Sequence, residues 1–251
     1  MSKDRSAQTP APRPEDARSA TPDRTAPSSR AEVDAFLGRV GALSPAAKSD
    51  GRGRLVFALD ATMSRQPTWD QACVLQADMF RAAAAGGGLD IQLVYYRGLG
   101  ECRASPWIAE PKRLGQLMSR VECRSGETQI AKILAHAQRE SEKARIGALI
   151  FVGDAVEESV DGLCAGAGDL GLRGVPAFMF QEGNDRTCEE AFRKIATLTH
   201  GAYCRFAPGA ADELRELLRA AAAYAAGGRK ALADLKARNS AAALRLLEQL
   251  K

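Results

Sequence analysis

Short, nearly uninterrupted apolar runs that alternate with helical segments constrain the fold of this chain more than any other feature. Such runs occupy residues 55–60 (LVFALD), 146–154 (IGALIFVGD) and 175–183 (VPAFMFQEG). A strand buried on both faces of a sheet has this composition, whereas a strand with one wet face alternates apolar and polar residues. Buried strands separated by helices predict a mostly parallel sheet with helices on both faces. We therefore expect an α/β fold, a three-layer Rossmann-like sandwich.

The segments between these runs supply the remaining strands and the helices. Residues 89–98 predict a second strand, and residues 101–108 predict an antiparallel edge strand that is blunted by Pro106. Residues 203–206 (YCRF) predict a further short strand. Helical spacing of apolar residues predicts helices over 68–85, 111–123, 128–141, 188–201 and 211–228, and the glycine-rich segment 166–171 is the expected end of another helix.

Both ends of the chain differ from this pattern. Residues 1–30 contain five prolines and, after Met1, no Leu, Ile, Val, Phe, Tyr or Trp, so they predict a disordered tail. Residues 31–50 predict one short amphipathic helix, and residues 51–226 form the expected α/β domain. Residues 227–251 predict a basic amphipathic helix or helix pair that packs on the domain, pairs with a partner or lies on an anionic surface.

Charge and composition exclude several classes of function. The formal net charge is +4, with the positive surplus at the two ends, so the body of the chain is mildly acidic and a nucleic-acid interface is not expected. The start of the chain lacks the apolar stretch of a signal peptide, and no window approaches the roughly 18 or more apolar residues of a membrane span, which favours a cytoplasmic location. The six cysteines show no C-x-x-C spacing, which indicates reduced thiols rather than a zinc site.

Polar side chains follow the predicted strands at the edge where parallel sheets bind ligands. Asp60, Thr62 and Ser64 follow the first strand, Thr128 precedes a helix, and Asp154 ends the strand over 146–154. Alternate positions of an extended segment face the same way, so the first three present oxygens to one point. Such hard oxygen donors are the ligands that Mg²⁺ or Mn²⁺ prefers. With only two carboxylates in the set, a bound ion keeps positive charge and an open position for a carboxylate from outside.

These residues resemble the metal-ion-dependent adhesion site of the von Willebrand factor A (VWA) domain family, whose pattern is D-x-S-x-S, then a Thr, then an Asp. Here the pattern consists of Asp60, Thr62 and Ser64, then Thr128, then Asp154, with Thr in place of the commoner Ser at its second position. The resemblance covers roughly residues 53–223 and implies a VWA-like fold. It also implies that the hydroxyl groups bind the metal directly and that the two acids act largely through water.

The same resemblance implies a metal-dependent protein-binding module with no catalytic activity of its own. Its partner would present a Glu or Asp as the last ligand of the ion. We predict a partner-binding rim around the ion that consists of Trp69, Glu157 and Glu158. Core packing for Trp69 and a solvated helix start for the two glutamates are the alternatives.

Two other interpretations of the site stay open. Haloacid-dehalogenase-like phosphohydrolases also place an acid after the first strand and a G-D pair after a later one, which matches Asp60 as nucleophile and Gly153-Asp154. Their second acid is replaced here by Thr62, which cannot perform acid-base catalysis near neutral pH. The remaining interpretation is a VWA-like scaffold with a vacant metal site.

Overall fold

The computed structural model describes residues 51–238 and 240–250, which contain a six-stranded sheet between two layers of helices. The expected disordered tail over 1–30 and the short helix over 31–50 lie outside the described residues. The strands are β1 (Gly53–Asp60), β2 (Leu89–Arg97), β3 (Glu101–Ala104), β4 (Ala148–Gly153), β5 (Ala177–Glu182) and β6 (Ala202–Phe206).

The order of the strands across the sheet is β3-β2-β1-β4-β5-β6. Every neighbouring pair is parallel except β2 and β3, which are antiparallel at one edge. The predicted α/β sandwich with a single antiparallel edge strand is therefore confirmed. The edge strand is shorter than predicted because the chain leaves the sheet before Pro106, and Ile108 returns only as an isolated bridge to Ile91.

The helices divide between the two faces of the sheet because side chains alternate along each strand. Leu55 and Phe57 of β1 face one apolar core, and Val56 and Ala58 face the other. The first core is covered by α1 (Gln66–Ala83), α2 (Pro111–Met118), α6 (Ala211–Ala237) and α7 (Ala241–Gln249). The second core is covered by α3 (Ile130–Lys143), α4 (Val160–Leu172) and α5 (Arg186–Leu198).

The C-terminal segment packs against the sheet domain over its described residues. Gly228 has φ 63° and interrupts α6, a backbone conformation that favours glycine, so the chain changes direction there. Leu232 and Leu246, on either side of the α6–α7 connection, are fully buried in the first core. Of the three possibilities for this segment, packing on the domain is what these leucines show. None of the described helices combines the length and the apolar character needed to cross a bilayer.

Candidate functional site

Five predicted site residues line one pocket at the carboxyl ends of β1 and β4. These two strands are neighbours at the point where the connections change direction along the sheet, which is where open α/β sheets bind ligands. The pocket has a volume of about 270 Å³. Its lining includes Asp60, Thr62, Ser64, Thr128 and Asp154. The fold therefore brings together oxygen atoms from three segments that are far apart in the sequence.

The turn after β1 sets the geometry of the first three residues. Asp60 is buried, and its Oδ1 accepts a hydrogen bond of 2.7 Å from the Thr62 backbone N–H. Met63–Arg65 then form a 3₁₀ turn, which places the Thr62 and Ser64 hydroxyl oxygens 3.4 Å apart. The expectation of an extended segment is therefore wrong beyond Thr62, because the 3₁₀ turn rather than strand alternation brings the two hydroxyl groups together.

Thr128 is held in the pocket by the loop that follows β4. The Thr128 backbone N–H donates to Glu157 Oε2 at 2.8 Å, and the Glu157 backbone N–H donates to Thr128 Oγ1 at 2.9 Å. Glu157 is exposed and lines the pocket, so a place on the rim remains a prediction for it. The reciprocal pair ties the Thr128 loop to the loop that carries Asp154.

Gly126 fixes the other side of the Thr128 loop by approaching the β2–β3 turn. A Cβ at position 126 would overlap backbone atoms of Gly98. We expect Gly126→Ala to destabilise the protein by about 1–3 kcal/mol, since backbone cannot yield as a flexible side chain would. Urea unfolding would measure this change.

The matched control for this prediction is Gly168→Ala. Gly168 lies in α4, and a Cβ there has no neighbour within 4 Å. We expect this variant to stabilise the protein by roughly 0.5–1 kcal/mol, because alanine is the better helix former. Equal effects of the two substitutions would contradict the role given to the Gly126 contact.

Glu158 has a structural position rather than the predicted place on the rim. Its carboxylate accepts hydrogen bonds from the backbone N–H groups of Ile130 at 2.5 Å and Ala131 at 2.9 Å, which are the first two residues of α3. Gln129, the residue before the helix, makes no side-chain cap. A carboxylate from another loop therefore satisfies the free N–H groups at the positive end of the helix, and Glu158 is not available to a partner.

Trp69 is also not on the rim, and that prediction is wrong. Its side chain is 1% exposed, and its indole N–H donates to the Met118 carbonyl oxygen at 3.0 Å. The ring packs edge to face with Tyr95 at a centroid distance of 5.8 Å. The side chain lies in the core beneath α1 and α2, and α1 begins at Gln66 rather than at the predicted residue 68.

Arg65 is the main site residue that the sequence analysis missed. Its side chain is 6% exposed, and one guanidinium nitrogen lies 3.2 Å from Asp154 Oδ2. The other terminal nitrogen contacts Glu182, and it also donates to Thr68 Oγ1 at 2.6 Å. An arginine directly after the D-x-T-x-S segment and a glutamate at the end of a buried strand are the sequence signals that point to this pair.

Burial controls the protonation of the groups beneath the pocket. Loss of solvent raises the pKa of the Asp60 carboxyl, and the hydrogen bond from the Thr62 amide opposes that rise. Loss of solvent, together with the negative charge of Asp60, raises the pKa of Tyr96 well above its ordinary value. The Tyr96 hydroxyl is therefore a neutral group close to Asp60.

The polar groups of the pocket fit a small hard cation. The Tyr96 hydroxyl lies near enough to lower the pKa of Asp60, but it makes no hydrogen bond of ordinary geometry in the described part of the chain. Over residues 51–238 and 240–250, no three His, Cys, Asp or Glu side chains form a metal cluster, so a cation here would depend on hydroxyl oxygens.

Comparison with solved structures identifies the class of fold. The chain has the von Willebrand factor A fold, with structural matches of probability 1.00. One match is a von Willebrand factor type A structure from Catenulispora acidiphila, with a TM-score of 0.53 and 19% identity over 68% of this chain. Another is the VWA domain of SpRpn10, with a TM-score of 0.53 and 12% identity over 66% of this chain.

The aligned region accounts for very different shares of the matched proteins. It covers 43% of the Catenulispora acidiphila chain but 94% of the SpRpn10 domain. A third match, an aerotolerance-related membrane protein from Bacteroides fragilis NCTC 9343, is covered over 98% of its length at 15% identity and a TM-score of 0.53. Neither the protein-family models nor the curated proteins provide a match to this sequence.

Proposed function

We propose that this protein is a metal-dependent protein-binding module that captures a carboxylate of its partner through a bound divalent cation. The observation that carries the proposal is the convergence of three hydroxyl groups and two carboxylates in one pocket at the carboxyl edge of the sheet. In this proposal Thr62, Ser64 and Thr128 hold Mg²⁺ or Mn²⁺, and Asp60 and Asp154 support the ion largely through water. The bound ion would supply the positive charge that binds a Glu or Asp of the partner.

The charges around the pocket support capture of an anionic group. Asp154 already has a guanidinium group of Arg65 beside one of its oxygens, so it does not neutralise a bound ion fully. Of the other four donors, three are uncharged hydroxyl groups and only Asp60 is a second carboxyl group. A divalent ion held by such a set retains positive charge, and a carboxylate oxygen is a hard ligand that matches its preference.

The proposal does not include catalysis. A haloacid-dehalogenase-like phosphohydrolase would use a second acid at the position that Thr62 occupies. The chain also has the VWA fold. We propose a cytoplasmic setting on the basis of the six cysteines, none of which forms a disulfide. Burial raises the pKa of the Cys73 and Cys123 thiols to about 11, which keeps both protonated and poorly reactive.

Calorimetric titration of metal-free protein with MgCl₂ tests the cation site. We expect saturable binding, and at a concentration a hundredfold above Kd we expect stabilisation by about 2.7 kcal/mol. For a chain of this size that corresponds to a rise in Tm of roughly 5–10 °C. CaCl₂ and NaCl at matched ionic strength are the controls for selectivity and for general salt effects.

Capture of a partner is tested by affinity purification from cell extract with and without a chelator. We expect at least one protein to be retained with Mg²⁺ and released by EDTA, and excess free glutamate-rich peptide to compete with it. If the calorimetric titration shows neither binding heat nor thermal stabilisation at millimolar Mg²⁺, the protein is instead a VWA-like scaffold with a vacant site. A phosphatase turnover that depends on Asp60 would instead favour the enzyme.

A further inference from the structure

Strand β6 is an edge of the sheet, and the backbone groups of its alternate residues point away from β5. The Phe206 carbonyl accepts a hydrogen bond of 3.1 Å from Gly183 on the β5 side. In a parallel pair, alternate residues direct their N–H and C=O groups to the same neighbour. Tyr203 and Arg205 therefore direct theirs outward, to the open side of the sheet. An exposed row of such groups is a template for pairing with another strand.

Gln249 at the end of α7 occupies part of this row. Its side-chain Oε1 accepts a hydrogen bond of 2.8 Å from the Tyr203 N–H, and its Nε2 donates to the Tyr203 carbonyl oxygen at 2.9 Å. One carboxamide thus reproduces the pair of hydrogen bonds that a neighbouring strand would make. The outward N–H and C=O of Arg205 have no partner in the described part of the chain.

A groove runs beside this edge, between α5 and α7, with a volume of about 350 Å³. We call it the β6 groove. Its charged and hydrogen-bonding lining includes Glu189, Arg193, Tyr203, Arg205, Arg245 and Gln249. Tyr203 and Arg205 of β6 are part of this lining, so the groove gives access to the outward row of the strand.

The positive charges of the β6 groove outnumber its negative charges. Arg193 lies over the Tyr203 ring at 4.3 Å and pairs with Glu189 at 2.8 Å. Glu189 is also within 3.9 Å of Arg205, so one carboxylate serves two guanidinium groups. The lining contains one more acid, Glu248, and one more arginine, Arg245, so it has three arginines and two glutamates. Acidic side chains of an incoming strand would find complementary charge here.

We propose that the β6 groove is a second docking site, which takes an extended acidic segment of a partner by strand addition. The segment pairs with the outward backbone groups of Tyr203 and Arg205, and its acidic side chains meet the arginines of the groove. Gln249 acts as a removable cover, because its side chain must leave Tyr203 before the full row can pair. Strand addition of this kind obtains affinity from main-chain hydrogen bonds and specificity from side-chain pockets.

The test uses a fluorescein-labelled eight-residue peptide of alternating Val and Glu, measured by fluorescence anisotropy in EDTA. EDTA removes any contribution of the cation pocket, so failure here and failure of the proposed function are separate results. We expect Gln249→Ala to bind this peptide about tenfold more tightly than the unmodified protein, since two hydrogen bonds no longer compete with it. A merely structural role of Gln249 would lower stability without increasing affinity.

Two matched comparisons isolate main-chain pairing from charge. Arg205→Pro removes the outward N–H, which an edge strand tolerates because that group does not face β5, whereas Arg205→Ala removes only the side chain. We expect the proline variant to bind about tenfold more weakly than the alanine variant. The same peptide with N-methyl groups at alternate residues should lose binding to the unmodified protein, and this comparison stands even where the proline variant does not fold.

Three results would overturn the proposal. The first is equal affinity for the N-methylated and unmodified peptides. The second is equal or tighter binding of a matched peptide of alternating Val and Lys. The third is self-association of Gln249→Ala in sedimentation equilibrium without any gain in peptide affinity, which would make a second copy of this chain the occupant of the edge.

Discussion

Replacing Asp60 with Asn is expected to weaken Mg²⁺ binding by about 10–100-fold, the usual cost of losing a group that supports metal ligands from behind. The metal-free variant should be at least as stable as the unmodified protein. Burial raises the pKa of the Asp60 carboxyl, so the fold disfavours the charged form relative to the unfolded chain. An amide carries no such cost, and its oxygen can still accept the hydrogen bond from the Thr62 N–H. Calorimetry and urea unfolding measure the two effects.

The matched control is Asp70→Asn, the same chemical change on the exposed side of α1. Asp70 accepts a hydrogen bond of 2.8 Å from the Gln66 side chain and does not line the pocket. We expect no change in Mg²⁺ affinity for this variant. Unchanged metal binding in Asp60→Asn, with the protein folded, would remove Asp60 from the site and end the proposed function in its present form.

Replacing Arg65 with Met is expected to destabilise the protein by about 3–5 kcal/mol, the typical cost of removing one partner of a buried ion pair. The guanidinium group lies between Asp154 and Glu182, and the Glu182 side chain is 7% exposed. Without Arg65 the Glu182 carboxylate keeps, among residues 51–238 and 240–250, only Thr68 and the Gly209 backbone N–H, the latter at 3.2 Å, as partners. Urea unfolding of both proteins measures the difference in their free energies of unfolding.

Two further variants show whether an uncompensated charge causes this loss. Glu182→Gln in the Arg65→Met background should recover part of the lost stability, because it removes the unpaired carboxylate. Arg81→Met is the exposed control: its side chain is 72% exposed and pairs with Asp78, so it should change stability by less than about 1 kcal/mol. Equal losses for Arg65→Met and for the double variant would assign the effect to packing instead.

Residues that are far apart in the sequence could be assigned to one site because the local pattern of apolar residues predicts where each strand ends. The apolar runs that become β1 and β4 end at Asp60 and just before Asp154, and parallel strands place such ends at one edge. Thr128 could be assigned from its hydroxyl group and from its match to the VWA pattern, although the loop before α3 has no periodicity of its own. Its position is held by Glu157 and by the contact of Gly126 with Gly98.

The errors concern side chains whose partners come from distant elements. Trp69 and Glu158 lie close in sequence to the D-x-T-x-S segment and to Asp154, yet Trp69 packs under α2 and Glu158 caps α3. Proximity in sequence cannot tell a rim residue from a core or capping residue, because the direction of a side chain depends on where its helix begins. The observed start of α1 differs from the predicted start by two residues, and Trp69 faces the core.

The sequence by itself determined the α/β class and the antiparallel edge strand, and it indicated five oxygen-bearing side chains that the structure places in one pocket. These follow from short-range causes: alternation between apolar strands and amphipathic helices, and the chemistry of residues at strand ends. Only the tertiary structure decided that Arg65 bridges Asp154 and Glu182 and that Gln249 covers Tyr203. These contacts join residues separated by 46 to 117 positions. Their geometry depends on how whole layers of the sandwich pack, which no local pattern contains.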